Sequence, residues 1–132
     1  MLDVLAKIYD EGGAFLGAGY TLFDGDQGFI TAVELRFEKI CAVFRAEPDY
    51  DTLAVTIDRL KPGADETLID ASNSEPWATC VGFGIRWAWQ LTNQQGYSDG
   101  VRLEFSKPGE SSRAVVELIV AASAIEIFRV RR

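Results

Sequence analysis

Apolar residues recur at every second position over much of this chain, and they mark out strands. From Phe29 to Glu38, Val33, Leu35 and Phe37 share one face, while Glu34, Arg36 and Glu38 share the other. Ile40 to Ala46 follows at once, so a tight hairpin is expected near Glu38 and Lys39, with Pro48 ending the second strand. Leu53, Val55 and Ile57 alternate with Ala54, Thr56 and Asp58. Ile85, Trp87, Trp89 and Leu91 repeat the pattern, as do Val101, Leu103 and Phe105 beyond a polar loop. These two segments predict an antiparallel hairpin with an aromatic face. Val115 to Val120 and Ile125 to Val130 close the chain as two strands, or as one bent at Ala121-Ala122-Ser123.

The remaining segments are less regular. Val4 to Tyr9 fits a strand or a single helical turn. Glycines 12, 13, 17 and 19 predict a loop or an irregular strand around Leu16 to Phe23. Lys61 to Asn73 is polar, contains Pro62-Gly63, and reads as a connector. Ser74-Glu75-Pro76-Trp77 has the residues of a helix start, and Gly82 stops such a helix after about two turns. The expected fold is α+β in one domain, residues 1–132. An antiparallel sheet, strongly curved or partly closed, dominates it, with one or two short helices at one end or face.

Charge narrows the partners. Thirteen basic and 20 acidic residues give a net charge of −7. That disfavours nucleic acid and anionic membranes and favours a basic partner. There is no histidine, which removes Ser–His and Cys–His nucleophile pairs and His-ligated zinc. Cys41 and Cys80 are too few for a metal motif and are expected to be small buried apolar residues. No cofactor is expected. The acidic start, MLDVLAKIYDEGG, lacks the basic end and long apolar run of a secretory signal, so a cytoplasmic location is expected. No run is long enough to span a bilayer.

Four constellations bear on function. Asp24, Asp26 and Glu34 resemble a calcium loop, but Glu34 arrives one residue early and the flanks do not read as helices; a turn at Asp24-Gly25 is expected instead. Glu47, Asp49 and Asp51 concentrate carboxylate between two strands, as an acidic patch, a capped hairpin loop or half of a catalytic pair. Asn93, Gln94, Tyr97 and Asp99 form the densest polar loop. Trp77, Trp87 and Trp89 are expected in the core; a cavity on their face makes a pocket, and exposure makes them interface anchors.

Asp49-Tyr50-Asp51-Thr52-Leu53, Trp87-x-Trp89, Asn93-Gln94-Gln95-Gly96-Tyr97-x-Asp99 and Val101-x-Leu103-x-Phe105 together resemble an uncharacterised family of small bacterial domains. Small acidic members of such families are similar to immunity proteins that neutralise toxins. The resemblance implies a bacterial cytoplasmic protein and brings no catalytic residues. The expected function is a non-catalytic protein-binding domain, immunity-like, that inhibits a basic partner. Its candidate binding residues are Glu47, Asp49, Asp51, Asn93, Gln94, Tyr97 and Asp99. The alternatives are a small-ligand-binding β-barrel with Trp87 and Trp89 in its pocket, and a carboxylate-dependent hydrolase.

Overall fold

The computed structural model describes residues 1–25 and 28–131. Its strands divide between two antiparallel sheets, neither of them closed. Sheet A is built from β1 (Phe15–Phe23), β2 (Ile30–Phe37), β3 (Cys41–Glu47), β4 (Thr52–Ile57) and β5 (Glu66–Asp70), in the order β4-β3-β2-β1-β5. Sheet B is the meander β6 (Gly84–Thr92), β7 (Ser98–Ser106), β8 (Arg113–Ala121) and β9 (Ala124–Val130). The hairpins expected at Glu38-Lys39 and between Leu91 and Val101 are present. The chain reverses between β8 and β9 through Ala122 and Ser123, both at positive φ.

One apolar core lies between the sheets. Ala18, Val33, Leu35, Ala42 and Phe44 of sheet A meet Val101, Leu103, Phe105, Val116 and Leu118 of sheet B. Phe15 is central, with ring centroids 5.5 Å from Phe37, 5.4 Å from Phe105 and 5.9 Å from Trp77. Edge and tilted contacts of this kind add about 0.5–1.5 kcal/mol each beyond area burial. Trp77 is fully buried, as expected, and its indole N–H donates to the Tyr20 hydroxyl. Burial of that hydroxyl raises the Tyr20 pKa, against a smaller opposing effect of the indole bond.

Three segments depart from the sequence reading. Leu2–Glu11 is a ten-residue helix, α1, which buries Leu5 and Ile8 one turn apart and packs against β6. The glycine-rich segment is the nine-residue strand β1, paired on both sides. Gly17 and Gly19 fall on its outward face, and a Cβ at Gly17 would lie 2.2 Å from Ser72 Oγ and 2.8 Å from Arg36 Nη2. These glycines form a notch for neighbouring side chains. The connector hides β5, which alternation could not reveal because nearly all its residues are exposed. The second helix, α2 (Trp77–Cys80), is one turn, and Gly82 at φ +87° ends its exit turn. Among the described residues, no helix is long and apolar enough to cross a membrane.

β4 and β5 are opposite edges of sheet A, so residues 58–65 must cross its outer face. Leu60 anchors the crossing by burying itself against Ala32 and Val43.

Candidate functional site

Trp87 and Trp89 are not in the core. They are 55% and 40% exposed. The cause is a β-bulge: Ile85 pairs with Phe105 and Trp87 with Glu104, leaving Arg86 as the extra residue. Alternation after the bulge is out of phase with that before it. Ile85 and Ala88 therefore face the core, while Trp87 and Trp89 turn outward with Leu91. A one-residue slip moves every later side chain to the other face, and nothing in I-R-W-A-W-Q-L announces it. The Arg86 guanidinium sits 6.0 Å from the centroid of the Trp87 ring.

This outward face of sheet B is part aromatic and part charged. Trp87 lies across from Glu104 and Trp89 across from Arg102, whose guanidinium approaches Glu117 at 3.4 Å. Glu104 is buried between its cross-strand neighbours Trp87 and Val115. Phe128, opposite Glu117 on the edge strand β9, adds a third exposed ring. Phe128 was not singled out from sequence, since its strand reads as ordinary alternation.

The two polar loops lie at one end of the molecule. Leu91, Gly100, Ile119 and Glu126 pair in a row across sheet B, next to both the 93–97 loop and the 121–124 turn. Asp51 Oδ1 accepts from the Ser123 N–H of that turn at 3.2 Å, which brings the acidic hairpin 47–52 to the same end. Several candidate side chains are occupied in building the loops. Asn93 Oδ1 accepts from the Gln95 and Tyr97 N–H groups at 2.9 and 3.2 Å, and Asn93 Nδ2 approaches Asp99 at 3.4 Å. Gly96 supplies the positive φ this loop requires, +84°. Thr52 donates to Glu47 at 3.0 Å, and Asp51 itself has φ +48°. Asp49, Tyr50, Gln94 and Tyr97 are left pointing outward.

A further charged cluster, absent from the sequence reading, lies on the outer face of sheet A. Glu34 is 4% exposed. Its carboxylate accepts from Leu60 N at 2.8 Å, Arg36 Nη1 at 2.9 Å and Arg59 Nε at 3.3 Å. Arg36 continues to Ser72 Oγ at 3.0 Å and Asp70 at 3.4 Å. Burial alone would raise the Glu34 pKa; the Leu60 N–H and the two guanidiniums outweigh it and hold it below the ordinary 4.5. The arrangement fixes the crossing segment, and both carboxylate oxygens are engaged. Its sequence signal is the pairing of two period-two patterns, Gly17-x-Gly19 and Glu34-x-Arg36, which meet across β1 and β2. Glu66 plays a similar part nearby, accepting from Gly63 N at 2.8 Å and from Thr31 and Arg45.

Of the suggested calcium ligands, Asp24 accepts from Thr67 Oγ1, Glu34 belongs to the cluster above, and Asp26 lies outside the described residues. Both cysteines are free. Cys80 is buried as expected, and burial pushes its thiol up to about 12. Cys41 is only partly buried, because it sits on the outer face of sheet A opposite Arg36; burial, then the Glu34 charge, raise its pKa.

The model of DUF6334, a family of unknown function, matches residues 15–132, so the matched span begins after α1. No curated protein and no solved structure matches the chain.

Proposed function

The chain belongs to DUF6334, and from that premise we propose that it is a non-catalytic protein-binding domain anchored by Trp87 and Trp89. The observation that carries this reading is the outward turn of two tryptophans on β6, an edge strand held by its pairing with β7. Large aromatic side chains held in place lose little conformational entropy on binding, and they dominate interface energetics. Arg102 and Glu117 beside them offer a hydrogen-bonding surround.

The finer reading is an immunity-like bacterial inhibitor of a basic partner. It rests on the net charge of −7 and on the exposed carboxylates of the 47–52 hairpin. Tyr97 and Gln94 at the same end extend that surface. Charge complementarity mostly speeds association and is screened over about 8 Å at physiological salt. The competing readings fit the geometry less well. Neither sheet closes, so a barrel interior lined by Trp87 and Trp89 is not formed. Glu34, the most enclosed carboxylate of the sheet A cluster, is taken up by three donors.

The test is affinity capture from the native host with the wild type and with the paired substitution Trp87→Ser, Trp89→Ser. A partner retained by the wild type and lost by a folded variant supports the reading. An identical set of retained proteins overturns it. For the basic-partner form, Asp49→Lys should slow association, and the wild-type rate should fall as salt rises.

A further inference from the structure

We propose that the open end of the β8–β9 pair binds a small polyanion, rich in phosphate or carboxylate oxygens, through Arg113, Arg129 and Arg131. β9 stops at Val130, opposite Val115, while β8 begins two residues earlier at Arg113. Beside this open end lies a groove of about 610 Å³, lined by these three arginines and by Ser111, with no Asp or Glu among the described lining residues. That volume is in the range that holds small organic ligands.

The three guanidiniums are available. All three side chains are exposed, and none makes an ion pair among the described residues. Arg36, Arg45, Arg59 and Arg102, by contrast, are each paired to a carboxylate. Among the described residues, Arg129 alone of the three has a polar partner, Thr79 Oγ1 of α2 at 3.5 Å. A guanidinium presents its donors in a planar fork that matches phosphate and carboxylate oxygens.

The charge of the whole chain decides the size of the ligand. A long polyanion would meet the net −7 elsewhere on the surface. A small one samples only the local field, because charges beyond about 8 Å are screened at physiological salt. The three arginines are not among the residues of the tryptophan reading, so this proposal stands or falls separately from it.

The experiment is calorimetric titration of the whole chain with tripolyphosphate and with citrate, at low and at physiological salt. Binding that weakens with salt is expected. The paired change Arg113→Ala, Arg131→Ala should weaken it roughly tenfold or more, since hydrogen bonds to charged groups are being removed. Lys39→Ala, on the β2–β3 turn, should leave it unchanged. Tighter binding of tripolyphosphate assigns the site to phosphate-bearing ligands, and tighter binding of citrate to polycarboxylates. No binding at millimolar concentration of either, or equal binding by the double variant, overturns the proposal. Both arginines are exposed, so a folded variant is expected.

Discussion

Glu34→Gln tests whether the buried carboxylate holds the crossing segment in place. The wild-type carboxylate accepts from Leu60 N, Arg36 and Arg59. Arg59 is 70% exposed in its side chain, so its pair with Glu34 contributes roughly 0–1 kcal/mol. The Leu60 and Arg36 bonds are enclosed, and a hydrogen bond to a charged group contributes about 1.5–3 kcal/mol. A glutamine oxygen still accepts from Leu60 N, so the substitution removes mainly the Arg36 interaction. Asp70 and Ser72 still hold part of that guanidinium. The expected cost is about 2 kcal/mol for Glu34→Gln and about 3–4 kcal/mol for Glu34→Ala, which also strands the Leu60 N–H. Those are large fractions of the roughly 5–15 kcal/mol available to a domain. The pH dependence gives a second reading. The folded-state pKa lies below the ordinary 4.5, so the stabilisation is complete above that value and is lost as pH falls through the lower one. The shifts of Glu66 and Asp70 run the same way but are present in both proteins and cancel in the difference. Urea unfolding of wild type and Glu34→Gln should therefore differ most near neutrality and converge below pH 4.5. A difference that stays constant to pH 3, or a Glu34→Ala cost well under about 1 kcal/mol, refutes the argument.

Two further predictions concern burial. Trp77→Ala should cost about 3–5 kcal/mol, whereas Trp89→Ala should cost about 1 kcal/mol or less, because only the first leaves a core cavity; equilibrium unfolding of the two variants gives the comparison. Cys80, with its thiol pushed up to about 12, should react with a thiol reagent at pH 8 only as the chain unfolds, and mass spectrometry after a short pulse should find Cys41 labelled first; early labelling of Cys80 would contradict its burial.

The strands with an alternating apolar face were legible, and Val33-Leu35-Phe37 and Val101-Leu103-Phe105 lie where alternation puts them; the burial of Glu34 and Glu104 on their other faces was not legible. The hairpin between Leu91 and Val101 was also legible, but the side on which its tryptophans lie was not. A single inserted residue, Arg86, reverses the phase, and its effect depends on pairing with β7. β1 was obscured because its outward positions are glycines, whose role is set by Arg36 and Ser72 from other parts of the chain. β5 was obscured for the opposite reason, being an edge strand with little buried on either face. The 47–52 and 93–99 loops were found as polar clusters. Their shared position at one end needed the Asp51–Ser123 contact, 72 residues apart in sequence. The division into two facing sheets followed from no local pattern, since a meander folded into two layers alternates as a single curved sheet does.

The crossing of residues 58–65 also makes this a chain of two interlaced halves. A cut in that segment would leave α1 and β1–β4 on one fragment, and β5, α2 and β6–β9 on the other. Each fragment keeps an element that belongs to the other's layer: α1 lies against β6, and β5 pairs only with β1. Neither half closes its own surface, so the natural seam of the chain runs between sequence neighbours and not between the layers. A nick there should yield two fragments that stay together as a non-covalent heterodimer and re-form it from solution through β5 adding to β1. Circular permutation at the same point would carry β5 and β1 farther apart along the chain while bringing α1 nearer to β6.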